Sequence, residues 1–136
     1  MNYTFNYDVS IILVNYNGKK YIDALFDSLI RLEHDDFTFE IVFVDNNSSD
    51  GSVAYLKSRY EGKCNLNVVE TGENKGFAGG NNAGVAASSG KYVVLLNNDT
   101  AVDSKWLTTL YHFMLKRPEC GMANSKLLFF YDFVKL

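Results

Sequence analysis

Apolar and polar positions in this chain come in blocks, and the blocks switch between two periods. Val9-Ser-Ile-Ile-Leu-Val14 is apolar almost throughout, as a strand covered on both faces should be. After the Asn17-Gly18 turn, Ile22, Leu25, Phe26, Leu29 and Ile30 recur at three- and four-residue steps. That stripe predicts an amphipathic helix from Lys19 to Arg31. A polar loop, Glu33 to Thr38, leads to a second strand, Phe39 to Val44. A shorter helix is expected from near Gly51, with Val53, Leu56 and Tyr60 facing inward and Ser49 or Asp50 as its cap. Strand three is Leu66 to Glu70. The stretch from Asn74 to Gly84 then opens a glycine-rich helix that Gly90 should stop. Strand four is Tyr92 to Leu96. Trp106, Leu107, Leu110, Phe113 and Met114 mark a further helix, capped by Asp103 or Ser104, with Pro118 beyond its end. A last strand is expected from Gly121 to Phe130.

Strands alternating with helical stripes predict βαβ units: an α/β fold with a mostly parallel, Rossmann-like sheet and helices on both faces. No repeat, low-complexity tract or domain boundary interrupts the chain, so residues 1–136 read as a single domain. The aromatic run Phe129-Phe-Tyr-Asp-Phe-Val-Lys-Leu136 leaves two readings open. Either another chain closes the exposed sheet edge, making a homo-oligomer, or this is the front part of a longer domain.

Composition narrows the function classes. At 136 residues the chain can bury a real core, and 47% hydrophobic with 21% charged residues is ordinary globular usage. A net charge of -3 gives no basic face for nucleic acid. Cys64 and Cys120 lie too far apart in sequence for a metal-ligand or redox spacing and read as reduced thiols. His34 and His112 are isolated. No apolar run approaches the roughly 20 residues of a membrane span, and the N-terminus lacks the features of a signal peptide. A cytoplasmic protein is the expectation.

The chemistry gathers where apolar strands end. Strand one ends in Asn15-Tyr16-Asn17-Gly18, strand two in Asp45-Asn-Asn-Ser-Ser-Asp-Gly51, and strand four in Asn97-Asn98-Asp99. Strand ends of open α/β sheets are where ligands bind, and these offer oxygens and amides to a polar, phosphorylated ligand. Asp99 could cap the following helix or open a turn. It could equally hold Mg²⁺ or Mn²⁺, since such cations take one or two protein carboxylates and complete their shell with substrate phosphates. Asp45 closes an apolar strand, where a carboxylate needs a partner, and a base N–H or a ribose hydroxyl would serve. Asp50 reads as a turn and helix-cap residue. Gly76-Phe-Ala-Gly79-Gly80 is not a dinucleotide fingerprint and follows the wrong strand. Its glycines read either as close helix-to-sheet packing or as backbone approaching a ligand, with Lys75 beside it to offset phosphate charge. Tyr16 could stack on a base or pack at the sheet rim.

Val14-Asn-Tyr-Asn17, Val44-Asp-Asn-Asn-Ser-Ser-Asp-Gly51, Asn74-Lys-Gly-Phe-Ala-Gly-Gly-Asn-Asn-Ala-Gly84 and Leu95-Leu-Asn-Asn-Asp-Thr100 together resemble family 2 glycosyltransferases, most of all the rhamnosyltransferase-like branch. The resemblance runs from residue 9 to about 130 and implies a GT-A fold binding a nucleotide-sugar donor, UDP- or dTDP-linked. It implies that Val14, Asn15 and Tyr16 line the nucleotide pocket and that Asp45 binds the base. Asn74 and Lys75 would border the nucleotide or diphosphate. Asn97, Asn98 and Asp99 stand at the family's Asp-x-Asp motif, with Asp99 on a divalent metal, Mg or Mn. Asn97 departs from that motif by replacing its first carboxylate.

The family's second half, with the acceptor site and general base, has no counterpart here, so no catalytic base is assigned. The resemblance therefore implies the donor-binding half of an inverting, metal-assisted transferase acting on a saccharide or lipid-linked acceptor, at the inner membrane face in the latter case. Two other readings compete: a sugar nucleotidyltransferase, and a non-catalytic nucleotide-sugar-binding or assembly module. An NAD-dependent oxidoreductase ranks last, because its fingerprint is missing.

Overall fold

The computed structural model describes residues 4–128. Four strands, β1 (Tyr7–Asn15), β2 (Phe39–Asp45), β3 (Leu66–Glu70) and β4 (Gly90–Asn97), alternate with four helices. The helices are α1 (Ile22–Leu29, entered through a 3-10 turn at Lys19–Tyr21), α2 (Ser52–Tyr60), α3 (Gly76–Ala87) and α4 (Trp106–Lys116). The strands form one parallel sheet in the order β3-β2-β1-β4, the mostly parallel α/β arrangement that the alternation predicts. In this order the chain steps outward from β1 to β3 and then returns to β1's other side. The reversal puts a topological switch point between β1 and β4.

The pleat divides the core in two. On one face Val9, Ile11 and Leu13 of β1 join Ile41 and Phe43 of β2 beneath α1, α2 and α4. Ile22, Leu25, Phe26 and Leu29 of α1 are all buried there, as their spacing predicts, with Leu56, Tyr60 and Leu107 beside them. Tyr60 keeps its ring on Phe26, 5.0 Å between centroids, and its hydroxyl donates to Asp23 or Asp27 at the edge of α1. On the other face Ile12, Val42 and Val44 lie under α3, with Val14, Ala83 and Ala87 packed against them. A Cβ on Gly80 would sit 2.7 Å from Val14 Cγ1, and one on Gly84 would sit 2.3 Å from Ile12 Cγ2. Those two glycines are there because the helix backbone lies directly on the sheet. Val93 and Leu95 of the edge strand β4 stay exposed.

Three expectations change. Gly90 does not stop α3, which ends at Ala87; it is the first residue of β4, where a Cβ would meet Ser10 N at 2.5 Å. Close strand approach, not helix termination, selects glycine there. Helix α1 ends at Leu29, two residues before Arg31, and Ile30 closes it. Residues 121–128 form no strand. Gly121, Asn124, Ser125 and Lys126 break the apolar run, and Met122 and Leu127 are more than four-fifths exposed, so no face exists to bury. The rest of that expected strand, and the aromatic run after it, lie outside the described residues.

The end of the sheet remote from the switch point carries a buried carboxylate that the hydrophobic pattern concealed. Glu40, inside β2, accepts hydrogen bonds from the Ser10 hydroxyl (2.6 Å), the Ser89 N–H (2.7 Å) and the Ser89 hydroxyl (3.0 Å). The Gly90 N–H in turn donates to Ser10 Oγ at 2.8 Å. Together these bonds pin the start of β4 to β1 and β2. Glu40→Ala strands the Ser10 and Ser89 donors in the interior and is expected to cost about 3 kcal/mol, measured by urea unfolding. Glu40→Gln keeps an acceptor oxygen and should cost less than half as much.

Candidate donor site at the strand ends

The carboxyl ends of β1, β2 and β4 come together at the switch point. Register pairs Asn15 with Asp45 and Val14 with Asn97, so the polar strand ends form one rim. Asp45 and the turn after β4 stand on either side of β1. Two strand spacings, about 9–10 Å, separate those flanking strands, a span over which one ligand can be held at both ends.

Asn15 lies at the centre of the rim and is wholly enclosed. Its Nδ2 donates to Asp45 Oδ1 (3.2 Å) and Ser48 Oγ (3.1 Å), and its Oδ1 accepts from Asn98 Nδ2 (3.0 Å). Asp45 is 4% exposed and takes a second bond, from the Ser48 N–H to Oδ2 at 2.9 Å. Each of its oxygens therefore accepts one internal bond and keeps a lone pair for a ligand donor. Tyr16, one residue beyond Asn15, stands 53% exposed on the rim.

The loops behind the rim are tied to each other. Asn17 takes a left-handed φ of 51°, its N–H donates to Ser48 Oγ (2.9 Å), and its Oδ1 accepts from the Ser49 N–H (2.8 Å). Asp50 accepts from the Lys19 N–H at 2.9 Å and from the N–H and hydroxyl of Ser52, at the start of α2. Burial works against its charge, but these bonds outweigh burial and hold the carboxyl below its usual range. Asp50 thus holds the turn, as expected, but the N-cap of α2 is Gly51, with a left-handed φ of 77° and no side-chain cap bond, and not Ser49 or Asp50.

Asn46 was not singled out from the sequence, yet it organises the loop before α3. It is 2% exposed; its Nδ2 donates to Asn74 Oδ1 (2.9 Å) and Gly76 O (3.0 Å), and its Oδ1 accepts from the Lys75 N–H (3.0 Å). Asn74 and Lys75 are thereby held against the end of β2. The Lys75 ammonium sits 3.9 Å from Glu73 on the surface. The only sequence signal for Asn46 is its place beside Asp45, since its partners lie some 28–30 residues away.

After β4, the Thr100 hydroxyl donates to Asn97 O at 2.7 Å and closes the turn. The Asn98 amide is committed to Asn15. The Asp99 carboxylate and the Asn97 side chain form no hydrogen bond or ion pair among the described residues and face solvent. No group of three or more His, Cys, Asp or Glu side chains could hold a metal among the described residues. The donor set nevertheless fits Mg²⁺ or Mn²⁺ arriving on a diphosphate, because such ions need only one or two protein carboxylates. Val14 turns its side chain toward α3, so it meets the rim through its backbone.

Known proteins share this fold. The N-acetylglucosaminyltransferase TarS of Staphylococcus aureus, which acts on poly(ribitol-phosphate), is 30% identical over 99 residues, 72% of this chain and 17% of that protein. The crystal structure of TarS residues 1-349 with UDP superposes with a TM-score of 0.75 at 28% identity, covering 82% of this chain and 33% of that one. A mannosyltransferase from Pyrobaculum calidifontis, solved with GDP-Man and Mn²⁺, has a TM-score of 0.71 at 23% identity, over 83% of this chain and 34% of its own, and shares the fold. The chain spans about a third of the length of these solved relatives. Residues 10–125 match the family described as Glycosyl transferase family 2. That match takes in most of the chain and all four strand ends, and the chain therefore belongs to glycosyl transferase family 2.

Proposed function

We propose that this chain is the donor-binding part of an inverting glycosyltransferase that uses a UDP- or dTDP-linked sugar. The observation that carries the reading is the shared rim: Asp45 and the Asn97–Asp99 turn flank one strand end and are joined through Asn15. Asp45 keeps acceptor capacity for the imide N–H of uracil or thymine, and Tyr16 stacks on the base. Val14 and Asn15 back that pocket. Asn74 and Lys75 border the diphosphate, with the Lys75 ammonium against its charge. Asp99, with Asn97 beside it, would hold a divalent metal, which would supply positive charge against the nucleoside diphosphate as it departs.

In the transfer itself, a base takes the proton of an acceptor hydroxyl and the oxygen attacks the anomeric carbon from the opposite face. The bond to the diphosphate oxygen breaks, and its electron pair leaves with the phosphate. No residue of this chain is assigned as that base. The acceptor is a saccharide or a lipid-linked acceptor, and in the latter case transfer takes place at the inner membrane face. No helix among the described residues is long and apolar enough to cross a membrane. The rhamnosyltransferase-like form of the four motifs makes a deoxyhexose or hexose the sugar to test first.

Isothermal titration with Mn²⁺ tests the proposal. UDP or dTDP should bind, and ADP, whose base has no ring N–H to give Asp45, should bind at least about tenfold more weakly, the worth of one hydrogen bond to a charged group. Turnover assays with the matching sugar donors should show no efficient transfer by these 136 residues. Failure of every nucleoside diphosphate to bind would overturn the donor-site reading.

A further inference from the structure

We infer that Asn15 is a positioning residue that orients the base-binding carboxylate and the metal-binding turn together, without touching the donor. The inference rests on the donor-site reading above. Asn15 has no exposed surface, so a ligand on the rim cannot reach it. Its amide is used at both ends, donating to Asp45 Oδ1 and Ser48 Oγ and accepting from Asn98 Nδ2. A carboxamide suits both tasks: it offers N–H groups toward a carboxylate and an oxygen toward another amide. With the Ser48 N–H on Oδ2, the Asn15 amide on Oδ1 sets the plane of the Asp45 carboxylate. The free lone pairs of Asp45 then have one direction. At its other end Asn15 fixes Asn98, the residue before Asp99.

Gly18 supplies an independent sign that this link shapes the loop. A Cβ there would lie 2.4 Å from both Asn15 Oδ1 and Asn98 Nδ2. The β1–α1 loop therefore passes directly over the bond between the two amides, and residue 18 must carry no side chain for the bond to close. Charged groups near the Asn15–Asp45 pair come from every neighbouring element. Glu70 stands opposite Asp45 in the β2–β3 register, Lys75 lies in the loop over β2, Asp50 accepts from the Lys19 backbone N–H behind the rim while the Lys19 ammonium lies over the Tyr55 ring, and Asp99 follows β4.

Asn15→Asp tests the role, because it preserves shape and still accepts from Asn98. When ionised, the new side chain faces Asp45 with a second negative charge and no donor. When protonated, it offers the O–H that replaces the lost N–H, as two carboxylates in one site share a proton. The affinity of the variant for UDP with Mn²⁺, taken as a ratio to wild type at each pH, is therefore expected to depend on pH. At about pH 8 it should be roughly 10- to 100-fold weaker than wild type, and at about pH 5.5 most of that loss should be recovered. Asn15→Ala has nothing to protonate and should be equally weak at both.

A constant ratio for Asn15→Asp, with wild type binding normally, overturns the positioning role alone. If wild type binds neither UDP nor any other nucleoside diphosphate, the donor reading falls and this inference with it; if it binds dTDP in place of UDP, the same ratios are read with dTDP. If Asn15→Asp unfolds at the higher pH by circular dichroism, the comparison at about pH 5.5 still decides. There Asn15→Asp must bind at least about fivefold more tightly than Asn15→Ala, and equality would overturn the role.

Discussion

Gly84→Val is expected to lower the unfolding free energy by about 3 kcal/mol or more, which corresponds to a fall in Tm of about 10 °C for a chain of this size. Two effects oppose each other at this position. Removing a glycine from a helix interior favours the helix by about 1 kcal/mol. Against it, even a single Cβ would stand 2.3 Å from Ile12 Cγ2 and 2.9 Å from Val44 Cγ2. Ile12 and Val44 are both wholly buried in the two central strands and have no free volume to move into. The helix itself must lift, losing its contact with Val42 and Val44, and the steric term wins. Gly84→Ala should fall between wild type and valine. Asn82→Ala, exposed on the same helix, should stay within about 0.5 kcal/mol of wild type or gain slightly. Urea and thermal unfolding measure all three; an unchanged Tm for Gly84→Val would mean that α3 does not lie on this sheet.

The same glycines show which parts of the molecule were legible in sequence. Strands β1 and β2 announce themselves because both faces are buried, so an apolar run ends abruptly where the chain leaves the sheet, at Asn15 and Asp45. The stripe of α1 is equally plain, since that helix buries one face and wets the other. Gly80 could be read as packing or as ligand approach, and only the Val14 side chain beneath it decides. Gly90 looked like a helix stop because local sequence cannot show that Ser10, eighty residues away, presses on its Cα.

Polar hubs were harder to see. Glu40 sits in an otherwise apolar strand with its partners thirty and forty-nine residues away. Asn46 reads as one amide among several until the loop at Asn74–Gly76 folds back on it. Asn15 was expected to line the nucleotide pocket; nothing in its local sequence shows that Asn98 and Gly18 close over it. Motif spelling points to a candidate site, whereas the division between groups open to a ligand and groups that hold them depends on burial.

That division gives the second large effect its form. Asp99→Ala is expected to remove the gain in UDP affinity that Mn²⁺ confers while leaving metal-free binding unchanged. Asp99 is the one carboxylate of the turn, it has no bond among the described residues, and no cluster of acidic or His and Cys side chains there could replace it. Loss of a group that merely orients a metal ligand commonly lowers metal affinity about 10- to 100-fold, so loss of the ligand itself should cost at least as much. Asp45→Ala should behave differently, weakening UDP by a similar factor with or without metal, because the partner proposed for it on the ligand is a base N–H. Asn97→Asp offers the opposite sign: a second carboxylate on the same turn restores the charge that asparagine removes and should tighten Mn²⁺ several-fold in the presence of UDP. Titrating Mn²⁺ at fixed UDP, and UDP with and without Mn²⁺, separates the three variants. If Asp99→Ala kept the full metal-dependent gain, the metal would be held elsewhere and the turn after β4 would lose its assigned role. If Asp99→Ala lost binding even without metal, its carboxylate would be shaping the rim instead of holding an ion.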